Sequence, residues 1–224
     1  MKKPYIICHM MTSADGWIDC AMTSQLPGVD DYYETPDALK VPTTLSGRVT
    51  AELEMAEQGK FKAADMTPFG REGFSKKSGR GGLWGGSRHP RQAALARCRR
   101  EKPYLIITCE QVPKEYLRYL NGKNISWIAC GGKRVNLARA AQILQDEFGV
   151  ERMGVVGGAV INTAFLDAGL LDEISILIGA GIDGRAGLPS VYDGRKMGCP
   201  LTQLTLSDVQ RFDSGAVWLR YKTE

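Results

Sequence analysis

At 224 residues, with 43% hydrophobic and 24% charged residues, the chain has the composition of a globular protein able to bury a sizeable core. It has no apolar run of the ~18 residues that a membrane helix needs, and its net charge of +4 is too mild to imply a nucleic-acid partner, although it suits a phosphorylated substrate. Only two histidines and six cysteines without a C-x-x-C pair argue against a catalytic metal, a zinc site or a disulfide frame.

The opening MKKPYIICHMMTSADG has no sustained apolar region or small-residue cleavage site. The expectation is therefore a cytoplasmic chain without a signal peptide, whose Cys8, Cys109 and Cys130 are small buried hydrophobes. Lys3–Met11 reads as a first strand, apolar on both faces as in a central sheet position. It ends in the polar turn Thr12-Ser13-Ala14-Asp15-Gly16, at the strand's carboxyl end, where ligands collect in open α/β sheets. Residues 17–33 show no periodicity and read as a covering loop, with a helix from about Thr35-Pro36. Val41–Ser46 is a short strand, followed by Gly47-Arg48-Val49-Thr50 and the helix former Ala51–Ala56. An arginine and a threonine hydroxyl beside a helix start suit a phosphate.

Residues 59–92 are rich in glycine and carry Lys76, Lys77, Arg80 and Arg88 without a period. They read as a basic insertion, either a lid supplying cations or a solvated segment or dimer contact. Then come a helix at Ala93–Arg100, a strand at Lys102–Cys109 ending in Thr108, and a short helix at Glu115–Leu120. A strand at Ser126–Cys130 ends at Gly131-Gly132, and Leu137–Phe148 is an amphipathic helix. Alternation of this kind argues for a largely parallel sheet.

The stretch Arg152–Ile178 organises the chain. Met153–Val156 is a buried strand, and Gly157-Gly158 forms a turn. A helix of about ten residues follows, with Ile161, Phe165 and Leu166 on one stripe, closed by Leu170-Leu171. After a turn at Asp172-Glu173 a second strand begins at Ile174. A strand, a Gly-Gly turn and a helix start let backbone N–H groups approach an anion, though the same sequence also serves as a plain tight turn. A flexible loop carrying Arg185 follows, and Leu201–Ser207 with Ala216–Tyr221 reads as a C-terminal hairpin.

The order of these pieces resembles the dihydrofolate-reductase-like family, in its RibD C-terminal reductase branch. PYIICHMMTSADG is similar to that branch's first strand and S-x-D-G turn, LSGRVTAE to its G-R-x-T junction, and VVGGAVINTAFLDAGLLDEISILI to its Gly-Gly loop, helix and L-(V/L)-D-E turn. The resemblance implies a three-layer αβα fold with a mostly parallel central sheet and an antiparallel C-terminal hairpin, in one domain over residues 1–224. It also implies an NADPH-dependent reductase, a homodimer, with a phosphorylated pyrimidine of riboflavin biosynthesis as substrate and hydride transfer to the ribosyl C1.

By the same resemblance, Thr12 lies against the nicotinamide end of the cofactor and Asp15 and Gly16 line the reactive pocket. Gly47, Arg48 and Thr50 cradle cofactor phosphates, and Thr108 approaches the adenosine. Gly131 and Gly132 close a further strand end on the cofactor side, and Gly157, Gly158, Ala159, Val160 and Ile161 wrap the pyrophosphate. Glu54, one helical turn beyond Thr50, is a candidate for the pocket rim, and Arg185 for gripping a substrate phosphate. Asp15 or a bound water is the proton donor, with a turn-capping Asp15 as the other reading. A dihydrofolate, carbonyl or nitro reductase, or a non-catalytic nucleotide binder, are the rival functions on this fold.

Overall fold

The computed structural model describes residues 2–77, 84–87, 92–95 and 103–223, and at 52–60, 84–87 and 92–95 the description is of the backbone alone. The chain starts with β1 (Tyr5–Thr12), then α1 (Cys20–Thr23) and α2 (Val29–Ala38). The expected covering loop thus holds two helices. Asp19 caps the first, accepting from Met22 N at 3.0 Å. The second starts at Val29, ahead of the expected Thr35-Pro36, with Asp30 and Asp31 in its first turn at the positive end of the dipole.

Next come β2 (Thr43–Ser46), α3 (Arg48–Met55), β3 (Ala56–Phe61), β4 (Gly73–Ser75), β5 (Trp84–Ser87) and β6 (Gln92–Leu95). The stretch 59–92, read as an insertion, therefore carries regular strands. β5 is an interior parallel strand, bonded to β2 on one side and to β7 (Tyr104–Thr108) on the other. Its Gly85-Gly86 pair has poor β-propensity and hid it from a pattern reading. Gln92–Leu95 is a strand, not the start of a helix, and residues 96–100 lie outside the described residues. The rest follows as α4 (Lys114–Gly122), β8 (Ser126–Ala129), α5 (Leu137–Asp146), β9 (Arg152–Val155), α6 (Ala159–Asp167), β10 (Glu173–Ile178), β11 (Leu204–Arg211) and β12 (Val217–Thr223). α6 stops at Asp167, short of Leu170-Leu171, because Gly169 turns the chain at φ +62. Glu173, expected in a turn, is already in β10.

Contacts group the chain into two compact units, Met1–Pro4 with Pro42–Glu151, and Tyr5–Val41 with Arg152–Glu224. In the first, the strands run in the order β2-β5-β7-β8-β4, all parallel except β4. α4 buries Tyr116, Leu117 and Leu120 against Ile106, Ile125 and Trp127. In the second, the order is β11-β12-β10-β1-β9, with β9, β1 and β10 parallel and the β11/β12 hairpin antiparallel, as expected. Its core is Ile7, Met11, Leu39, Leu177 and Trp218. Each side chain so buried contributes roughly 1.5–3 kcal/mol of transfer free energy. Within each unit the parallel strands point their carboxyl ends the same way, and Thr12 in the second unit and Thr108 in the first stand at such ends.

Candidate functional site

In the second unit, β9, β1 and β10 end side by side, with Cys8 paired to Val155 and Thr12 to Ile178. Thr12 is buried, and its carbonyl accepts Gly179 N at 2.8 Å, so the strand end is fixed. Past β9 the chain turns through Gly157, at φ +100, into α6. A φ of +100 favours glycine at this position, and a Cβ there would also press on the end of the Met10 side chain at 3.0 Å. Gly158 is the N-cap, and its carbonyl accepts Ile161 N and Asn162 N. The N–H groups of Gly158, Ala159 and Val160 have no partner among the described residues, and the Val160 side chain stands exposed. These free donors at a helix start are suited to an anion.

The polar turn after β1 is also fixed. Ser13, buried, accepts Trp17 N at 3.1 Å, and Gly16 takes φ +91. Asp15 is exposed, but its carboxylate accepts Asp183 N at 3.1 Å and Gly184 N at 2.8 Å. The Ser13 hydroxyl and these amides hold its pKa down at about 2. Asp15 is therefore an ionised acceptor at neutral pH, with no proton to give. Arg185 is likewise engaged: Nε and Nη2 fork onto the Asp183 carboxylate at 2.6 and 2.7 Å, with Asp19 Oδ1 at 3.9 Å. Asp15, Asp19 and Asp183 outnumber this one cation, so a phosphate gains little by approaching Arg185.

In the first unit Ser46 ends β2 and is followed by Gly47, and Thr108 ends β7. Gly47 O accepts Ala51 N at 3.0 Å, opening α3, and Arg48 is exposed with Thr50 half-buried. The Glu54 side chain lies outside the described residues. Ser46 Oγ and Thr108 Oγ1 are both buried and both without a hydrogen-bond partner among the described residues. A buried hydroxyl left unpaired costs about 1–3 kcal/mol, and these two stand at the carboxyl ends of parallel strands, the edge where ligands bind in open α/β sheets. Ser46 was not singled out in the sequence, where it reads as an ordinary strand-end serine. Gly131 has φ +82, and a Cβ there would lie 2.3 Å from Arg134 O. Its carbonyl accepts Glu110 N at 2.9 Å, so this glycine shapes the loop into α5, whereas Gly132 faces open space.

Of the cations expected in the basic stretch, Lys76 donates to Glu147 O at 2.7 Å and lies over the Phe148 ring, while Arg80 and Arg88 are outside the described residues. Among the described residues no group of three His, Cys, Asp or Glu could hold a metal, and no helix is long and apolar enough to cross a membrane.

An unexpected buried relay crosses the second unit. His9 Nδ1 is 2.9 Å from Ser175 Oγ and Nε2 is 3.0 Å from Thr35 Oγ1. Trp218 Nε1 donates to Ser175 Oγ at 2.7 Å, and Thr35 Oγ1 donates to Tyr32 O at 2.7 Å. Thr35 has spent its proton, so Nε2 carries the hydrogen and Nδ1 accepts from Ser175: the imidazole is neutral and fully bonded. A histidine inside an apolar strand, with a serine in an apolar partner strand, was the available signal.

A pyrimidine reductase-like protein of Corynebacterium diphtheriae superposes with a TM-score of 0.70 at 17% identity, covering 99% of this chain and 92% of that one. A riboflavin biosynthesis reductase of Saccharomyces cerevisiae gives 0.63 at 15% identity, covering 99% and 90%. These likenesses support the dihydrofolate-reductase-like α/β fold expected from the sequence. A 2,5-diamino-6-ribosylamino-4(3H)-pyrimidinone 5′-phosphate reductase of Methanothermobacter thermautotrophicus is 31% identical over 94 residues, 42% of this chain and 43% of that relative's length, so less than half of either protein is aligned. The family model described as RibD C-terminal domain matches residues 87–218, more than half of the chain, and the chain belongs to that family.

Proposed function

We propose that the chain is an NADPH-dependent reductase of riboflavin biosynthesis, with residues 1–224 acting as one reductase domain. Its substrate is 5-amino-6-(5-phosphoribosylamino)uracil or the corresponding 2,5-diamino-6-ribosylamino-pyrimidinone phosphate, reduced at the ribosyl C1. Family membership supports the chemistry, and the observation that carries cofactor use is the pair of unpaired buried hydroxyls, Ser46 and Thr108, at parallel strand ends.

NADPH, when bound, supplies the hydride. The chain supplies orientation and charge. In the second unit, the turn at Gly157 leads into the free amides of Gly158 to Val160, which are donors for a pyrophosphate. In the first, Gly47, Arg48 and Thr50 are the phosphate donors, with Ser46 added to them and Thr108 for the adenosine end. Thr12 keeps a fixed strand end as a wall for the nicotinamide. Because Asp15 is ionised and bonded to Asp183 N and Gly184 N, it organises the substrate turn, and a bound water donates the proton. The exposed Leu204, Leu206 and Val209 on β11 support a homodimer as the working form.

Tryptophan quenching on titration with NADPH and NADH tests the cofactor assignment. NADPH is expected to bind the more tightly, and Arg48→Ala to weaken it about 10- to 100-fold, the range of one charge-assisted contact to the 2′-phosphate, with NADH little changed. No binding of either at millimolar concentration would sink the reading. Asp15 has its own check. With its pKa at about 2, the pH profile of kcat/KM is expected to show no limb from this residue between pH 4 and 9. A limb in that range that disappears in Asp15→Asn returns the donor role to it.

A further inference from the structure

The first unit carries a cleft that none of the residues above uses. It measures about 530 Å³ and is lined by Phe69, Arg71, Lys114, Leu117, Arg118, Asn121 and Trp127. Lys114, Leu117, Arg118 and Asn121 lie on α4, Trp127 on β8, and Phe69 with Arg71 on the segment before β4. That size is within the range of small-molecule sites.

Its chemistry is one-sided. The floor is apolar and aromatic: Leu117, Trp127 and the half-buried Phe69, whose ring meets Trp127 edge-on at 5.6 Å. The rim carries three exposed cations, and no carboxylate lines the cleft. None of the three makes an ion pair among the described residues, although Asp65 feels the charges of Arg118 and Lys114 from outside. Arg71 already stacks over Phe69 at 5.3 Å, which holds its guanidinium at the rim. Asn121 Oδ1 accepts from Trp127 Nε1 at 3.1 Å and from Ser75 Oγ at 3.2 Å, so the amide is fixed with its NH₂ group left as a donor. The site thus offers donors and positive charge above an aromatic floor, with no lining carboxylate to favour a cation.

We propose that this cleft binds a small planar aromatic phosphate, the ring on the Trp127–Leu117 floor and the phosphate among Arg71, Lys114 and Arg118. Three cations match a dianion, and guanidinium forks suit its oxygens. The site is independent of the reductase reading, and its ligand need not be a cofactor or substrate.

The test follows the Trp127 indole N–H resonance, assigned with Trp127→Phe, while the full chain is titrated with phenyl phosphate at low ionic strength. A saturating shift with half-saturation on the order of 1 mM or below is expected, with inorganic phosphate binding more weakly. The triple variant Arg71→Gln/Lys114→Gln/Arg118→Gln is expected to lose at least about tenfold in affinity. Because these side chains are exposed, its melting temperature should hold. If it melts early, Arg71→Gln and Lys114→Gln singly carry the comparison. No shift, equal affinity for inorganic phosphate, or an undiminished response in the variants overturns the proposal.

Discussion

Removing both cations that face Glu173, as Arg220→Met/Lys222→Met, is expected to cost about 3–5 kcal/mol of folding stability, the range for a buried charge left without its partners. Glu173 opens β10, and its side chain is fully buried. Arg220 Nε and Nη2 both donate to Oε1 at 2.7 Å, while Oε2 accepts from Lys222 Nζ at 2.8 Å and from the Tyr5 hydroxyl at 2.9 Å. Lys222 donates to the Tyr5 hydroxyl as well, and Arg152 lies over the Tyr5 ring at 4.3 Å. Burial alone would raise the carboxyl's pKa. The bonds from Arg220, Lys222 and Tyr5 outweigh it and hold the pKa below the usual range.

The asymmetry of burial decides which variant suffers most. Arg220 and Lys222 are 25% and 46% exposed, so in Glu173→Gln both can turn to water and the loss is smaller. In the double variant the carboxylate keeps only the Tyr5 hydroxyl. Urea unfolding at pH 7 compares the two. A midpoint shift in the double variant no larger than in Glu173→Gln would show that the carboxylate finds other solvation, and the ranking fails.

Glu173 also shows where sequence reading stops. Asp172-Glu173 reads as a turn because it is the polar break between Leu170-Leu171 and the apolar run from Ile174, and the partners that draw Glu173 into a strand come from β1 and β12, far along the chain. By contrast, α5 and α6 were legible: their apolar stripes are local, and Asn136 or Gly158 marks the start. The fold class followed from the alternation of apolar runs, and the C-terminal hairpin from a short turn between two of them. β5 was missed since glycines carry no pattern, and its place is fixed by β2 and β7 on either side. Among the candidate site residues, Gly157 and Gly131 both stand at positive φ with close neighbours, which gives these two glycines a structural reason apart from any ligand. What a polar side chain touches was not legible. Nothing in the spacing of Asp15, Asp183 and Arg185 says that the first binds two amides and the other two pair with each other. The orphan hydroxyls of Ser46 and Thr108 likewise exist only once burial is known.

The His9 relay gives the second large effect, in acid. Burial presses the His9 pKa from 6.5 down to about 4, since no bulk water is there to solvate an imidazolium. Between those two pH values the unfolded chain holds a proton on this ring and the folded chain does not. Stability therefore rises with pH across the window, is fully present above 6.5, and is lost as pH falls toward 4. The gap corresponds to about 3 kcal/mol. Protonation also places a donor on Nδ1, where Ser175 Oγ must then turn its hydrogen away while still accepting from Trp218 Nε1. Ordinary carboxylates are already ionised in the upper part of this window, so histidine titration dominates there, and the one other histidine, His89, is common to both proteins compared below. Urea unfolding at pH 7.5, 6.0 and 5.0 is expected to show a falling midpoint in the wild type. In His9→Gln, whose amide keeps a donor and an acceptor but cannot titrate, the baseline stability is lower and the slope flatter. An equal slope in both proteins would assign the acid sensitivity to some other group and remove His9 from it.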